Sequence, residues 1–244
     1  WGSSDIPGCT DVNACNYDVA ATSDDNSCTY TPDSCTACDG SDLGGQDCAG
    51  VCGGTATTDE CGVCGGDGPA DNFTCDGTFK PSTTDALQAA VDMWIDNNPT
   101  ALSTYGEINN WDISLITNLN FLFKNTSFND DISNWDVSNV TSMNETFAYA
   151  GSFNQNINSW DVSSVVSLGS TFRATYSFDQ PLGDWDVSNV TNMQRLFMDS
   201  RFNQDISGWD VSSVIAADRI FSGTCCFNQD ISQWDLSSAT QMYD

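Results

Sequence analysis

The chain has 244 residues, 39% hydrophobic and 11% aromatic, which suffices for a core and for two or three modules. Thirty-four acidic residues against six basic ones leave a net charge of −28, which argues against nucleic acids and anionic membranes as partners. Histidine is absent, so Ser-His-Asp, Cys-His and His-ligated zinc chemistry fall away together, and no apolar run reaches membrane-spanning length.

Cysteine and glycine dominate the beginning of the chain. Ten of the twelve cysteines (Cys9, Cys15, Cys28, Cys35, Cys38, Cys48, Cys52, Cys61, Cys64 and Cys75) fall within residues 9–75, and thirteen of nineteen glycines within residues 1–78. Large apolar side chains are scarce there, so burial cannot hold this part together. Disulfides are the expected substitute, and they imply an oxidising, extracellular setting, secreted or at a cell surface. Zinc is the rival reading, because Cys35-x-x-Cys38 and Cys61-x-x-Cys64 have ribbon-like spacing. Residues 1–34 read as a cysteine-framed Asp/Asn-rich segment and residues 35–78 as a Gly/Cys-rich disulfide module. In the first of these, Asp11, Asn13, Asp18, Asp24, Asp25 and Asn26 offer hard oxygen ligands of the kind calcium requires. Asx turns are the alternative, since Asp and Asn cap their own backbone in loops.

Residues 79–127 read as a capping helix and a first repeat. Leu87, Val91, Trp94 and Ile95 form one apolar stripe at helical spacing from about residue 85 to 97. Thr84 is the expected N-cap, and Pro99 the expected end. Such a helix would cover the exposed first coil of a repeat array.

Repeats fill residues 128–244, the last one incomplete. Trp-Asp pairs occur at Trp111, Trp135, Trp160, Trp185, Trp209 and Trp234, spaced 24 or 25 residues apart. Within one unit Ile132, Trp135, Val137, Val140, Met143 and Phe147 follow the order I-x-x-W-x-V-x-x-V-x-x-M-x-x-x-F. That period lies in the leucine-rich-repeat range. The W-D-V alternation predicts Trp and Val inward and Asp outward. The expected fold is therefore a mostly β solenoid, with a leucine-rich-repeat-like parallel sheet of about 4.8 Å per rung.

The pattern F-N-Q-D-I-S-x-W-D-V-S-x-V-x-x-M-x-x-x-F resembles the BspA-type leucine-rich repeats of microbial surface proteins, over roughly residues 83–244. The resemblance implies a surface-exposed adhesive or structural protein without a shared catalytic site.

Asp112, Asp136, Asp161, Asp186, Asp210 and Asp235 should form a vertical ladder on the exposed face. Either each accepts N–H bonds from the Ser-Asn or Ser-Ser that follows, or bound cations, calcium again, compensate the charge. The Trp and Phe columns read as core, and Asn154, Asn203 and Asn228 as a hydrogen-bonded ladder. Five N-x-[ST] sequons, at Asn72, Asn125, Asn139, Asn144 and Asn189, are candidate glycosylation sites. Cys225 and Cys226 are expected either to close on each other or to pair with another segment. Near residue 244 the last unit lacks the Phe and turn of its predecessors, so Trp234 and Leu236 are expected to be covered by further chain or by a head-to-tail neighbour. A column that repeats one environment six times cannot separate an acid from a base. The expected function is thus a non-enzymatic extracellular scaffold or filament component, partnered by itself or by other extracellular proteins. An adhesin that binds host protein or glycan through the repeat sheet face is the alternative.

Overall fold

A computed structural model describes residues 5–30, 35–37 and 44–240. The chain divides into two compact units, residues 1–69 and 70–244. Cys38 and residues 241–244 lie outside the described residues.

Among the described apolar side chains of the first unit only Cys9 and Ala14 are buried. Covalent bonds do the work of a core instead: Cys9–Cys28, Cys35–Cys52 and Cys48–Cys64 are disulfides. Cys15 and Cys61, and Cys75 of the second unit, are also disulfide-bonded. Strand β1 (Pro7–Gly8) pairs in parallel with β2 (Ser23–Asp24). Further on, one device occurs twice. Asp47 accepts the N–H groups of Ala49, Val51 and Ala56, and Asp59 those of Cys61, Val63 and Gly68. Gly54 and Gly66 lie so close to these carboxylates that a Cβ would collide with Asp47 and Asp59.

The second unit opens with helix α1 (Thr84–Asp96), capped one residue earlier than expected by Thr83, whose hydroxyl accepts from Ala86 N at 3.2 Å. Pro99 does not simply stop the run. It sits in the first turn of a second helix, α2 (Asn98–Tyr105), where a missing N–H costs nothing. Leu87, Ala90, Val91 and Trp94 are the buried face of α1. Hydrogen bonds from Thr84 Oγ1 to Asn118 O, Gln88 Nε2 to Leu122 O and Trp94 Nε1 to Asp130 Oδ2 fasten it to the first repeat.

The mostly β solenoid with a leucine-rich-repeat-like parallel sheet is not what the chain forms. Among the described residues β1 and β2 are the only strands, both two residues long and both in the first unit. As sheet pairing, the described repeats share single-residue parallel bridges and nothing longer, Asn118 to Ser142, Ser142 to Ser167, Ser167 to Asn192 and Asn192 to Ala216. The reason is local. Each Asp after a Trp accepts the N–H of the Ser two residues on, and a turn such as Val140 N to Val137 O follows at once. W-D-V is therefore too short to pair as a strand.

Beyond the bridge the chain runs as overlapping turns. Leu119, Phe121, Phe123 and Asn125 donate their N–H groups to Ser142, Asn144, Thr146 and Ala148 of the next unit, at 2.9–3.0 Å. Between them, Leu122 N and Lys124 N bond back to Leu119 O and Phe121 O. This requires positive φ at Phe121 and Asn125, and again at Glu145 and Tyr149, Ser170 and Ala174, Arg195 and Asp199. Side chains at positive φ cost energy, and the inter-unit bonds offset it. Within this frame Phe123, Phe147, Phe172, Phe197 and Phe221 stack at 5.4–5.8 Å, each lying about 4 Å from the Phe that opens the next turn. Trp135 and Trp160 stack at 6.4 Å, 3% exposed each.

Candidate functional site

Three side-chain columns run along the array, and the first two are engaged in holding it. Ser114, Ser138, Ser163, Ser188, Ser212 and Ser237 donate their N–H groups to Asp112, Asp136, Asp161, Asp186, Asp210 and Asp235 at 2.9–3.1 Å. Hydrogen bonds from the serine hydroxyl and N–H hold the Asp161, Asp186 and Asp210 carboxyls below the usual range. At Asp112 burial pushes the other way, and the Lys80 ammonium at 2.7 Å together with Ser114 outweighs it. In the second column Asn129, Asn154, Asp179 and Asn203 each accept the N–H one unit on, from Asn154, Asp179, Asn203 and Asn228. A shallow groove beside it, lined by Asp131, Gln155, Asn158 and Asp184, has its polar groups similarly tied: Asn158 Nδ2 donates to Asp184 Oδ2 at 2.6 Å. The indole N–H of each repeat Trp reaches back to a carbonyl of the preceding turn, Trp160 to Ile132 and Trp185 to Ile157, so the Trp column presents no free polar edge.

The third column escaped the sequence reading. Five of the six basic residues, Lys124, Arg173, Arg195, Arg201 and Arg219, lie in the overlapping turns and in the short loops that follow them. Phe121, Tyr149 and Tyr176 stand exposed among them, at 50%, 39% and 56%. Lys124 pairs with Glu145 at 2.6 Å and lies over the Phe121 ring, while the Arg173 guanidinium lies over Tyr149 at 5.2 Å. In so acidic a chain this segregation was a readable signal. Its turn residues, however, carry no glycine pattern to mark the face.

The candidate calcium ligands of the first unit make Asx turns. Asp11 Oδ1 accepts from Asn13 N, Asp18 from Ala20 N, Asp24 from Asn26 N and Asp25 from Ser27 N. Among the described residues no three of His, Cys, Asp or Glu gather as a metal-binding group. The sequons differ in engagement. Asn139 and Asn189 donate their amides to Ser114 O and Ser163 O, and Asn72 Oδ1 accepts from Ser82. Asn144 accepts from Ser167 Oγ and Gly169 N, with its sequon partner Thr146 fully buried. Asn125 is exposed, at positive φ.

The family described as Mycoplasma protein of unknown function, DUF285, matches residues 92–201 and 163–244. The chain belongs to this family. Its match begins inside α1 and runs through the repeats. Neither a curated protein nor a solved structure matches the chain. Among the described residues no helix is long and apolar enough to cross a membrane.

Proposed function

We propose that the chain is a non-enzymatic structural module of an extracellular protein, akin to the BspA-type repeat proteins of microbial surfaces. One observation carries this reading: the Asp and Asx columns, unit after unit, are occupied in bonding the array to itself. Among the described residues every aspartate whose titration is displaced is displaced downward, as with Asp161 and Asp205 held by their serines, whereas a general acid at neutral pH needs the opposite. The disulfides of the first unit suit an oxidising exterior. Immunogold electron microscopy of intact cells that make the protein tests the proposal. Label on an ordered surface layer or appendage is expected, and label confined to the cell interior overturns it.

A second reading, an adhesin, is favoured by the third column. Exposed Phe121, Tyr149 and Tyr176 among Lys124, Arg173 and Arg195 have the composition of a binding surface, in which aromatics and Arg are enriched. A glycan array probed with the protein and with Tyr149→Ala/Arg173→Ala separates the two. Binding lost in the double variant supports the adhesin, and no binding leaves the structural role.

A further inference from the structure

In a chain whose other described cysteines are disulfide-bonded, Cys225 and Cys226 are free, exposed and in contact, Sγ to Sγ 2.9 Å. They line an open cleft with Tyr176, Asp179, Arg201 and Asn203. The turn that holds them is pinned on both sides: Thr224 Oγ1 donates to Phe197 O at 2.7 Å and Asn228 N to Asn203 Oδ1 at 3.0 Å. Array packing does not require cysteine here, because the corresponding positions of two earlier units hold Gly151-Ser152 and Tyr176-Ser177.

We propose that Cys225 and Cys226 form a reversible thiol–disulfide exchange site, closed by low-molecular-weight disulfides and opened by low-molecular-weight thiols. One thiol loses its proton and attacks the small disulfide R–S–S–R, releasing RS⁻, which takes up a proton. The second thiol, deprotonated in turn, displaces the remaining RS⁻. A Cys225–Cys226 bond and two RSH result, and the two electrons lost by the cysteines reduce the added disulfide. Adjacency makes the second step faster than capture by another molecule, since almost no chain must be ordered to close the ring. The same adjacency makes the bond weak. Consecutive Cα atoms are about 3.8 Å apart, below the roughly 4.4 Å at which unstrained disulfides begin. The bonds of the first unit span 4.8–5.4 Å. Strained, exposed disulfides are the labile ones. The inference holds whether or not the array binds a partner.

The test equilibrates the full chain with glutathione buffers of graded redox ratio, followed by acid quench, alkylation and mass spectrometry of intact protein and peptides. Under oxidised glutathione the peptide holding Cys225 and Cys226 should lose two hydrogens and carry neither an alkyl group nor glutathione. It should reopen at a reduced-to-oxidised ratio at least about tenfold lower than the first-unit bonds need. Phenylarsine oxide, a trivalent arsenical that bridges close thiol pairs, should protect both cysteines from alkylation in the reduced protein and bind neither single variant, Cys225→Ser or Cys226→Ser. Persistent glutathione adducts, a disulfide-linked dimer, or two thiols that stay alkylatable throughout would each overturn the proposal.

Discussion

Asp161 accepts both the N–H and the hydroxyl of Ser163, at 3.1 and 2.6 Å, and these bonds hold its carboxyl below the usual range. A carboxyl lowered in the folded state contributes stability in full above its unfolded value, near 4, and loses it as pH falls through the folded value. Asp186, Asp210 and Asp235 carry shifts of the same sign from Ser188, Ser212 and Ser237. Self-repulsion in a chain of net charge −28 works the other way, easing as acid is added. The two effects separate in pH, because ordinary surface carboxyls take up protons before the lowered ones. The melting temperature of the array, followed by circular dichroism, should hold or rise from pH 7 to about 5 and fall below about 4. A melting temperature that keeps rising to pH 2 would mean that repulsion outweighs the capping bonds. Asp161→Ala should cost about 1 kcal/mol in urea unfolding, comparable to losing an N-cap. Asp161→Asn, which keeps the acceptor oxygen, should cost less, and neither should change calcium uptake measured by calorimetry.

At the scale of one repeat the indole carries the most weight. Trp160 is buried, stacks on Trp135 and donates Nε1–H to Ile132 O at 3.1 Å. Burial of such a ring is worth at most about 4–6 kcal/mol, from roughly 200 Å² at about 25 cal/mol per Å². Trp160→Ala should therefore cost about 3–5 kcal/mol, whereas Trp160→Phe should lose mainly the hydrogen bond and cost about 1–3 kcal/mol. Equal losses in the two variants, measured by equilibrium urea unfolding, would show that stacking contributes little. This column was legible in the sequence because an apolar side chain at a fixed period declares itself without knowledge of the backbone. The helix was legible for the same reason, down to the stripe through Leu87, Val91 and Trp94. The path between them was not. Three residues of W-D-V alternation look alike in a strand and in a chain about to turn, and apart from Asn125 and Gly223 the positive-φ positions of the repeats hold residues such as Phe121, Glu145, Tyr149, Ser170 and Arg195 rather than the glycine or asparagine by which turns are recognised. The D-x-x-G-V-C-G-G repeat at residues 47–54 and 59–66 was visible as letters. Its meaning, an Asp hook against a glycine, needed the fold.

Across the whole molecule two means of stabilisation divide the chain. The first unit is held by disulfides and Asp hooks, with Cys9 and Ala14 its only buried apolar side chains among the described residues. The second rests on a continuous aromatic and aliphatic core from Phe79 to Ile220, with Phe227 and Trp234 packed against it. A chain whose disulfides are opened regains the conformational entropy that the cross-links had removed, typically 2–4 kcal/mol for each bond. Among the described residues the first unit has too little apolar burial to offset that loss, whereas the array draws its stability from contacts that reducing agents leave intact. Cys75 is the array unit's one described disulfide cysteine, and its neighbours Phe73 and Phe79 pack on Tyr105 and Trp111 through ring contacts. Treatment with dithiothreitol should therefore open residues 5–69 to protease while residues 84–240 stay protected. Tryptophan emission should keep its buried character, because the six repeat indoles lie in the array. Peptide mapping after a brief protease pulse, read beside the emission spectrum, decides the matter. Protection of residues 5–69 after full reduction would demand a core that the described residues lack, and a red-shifted emission would tie the array to the disulfides of the first unit.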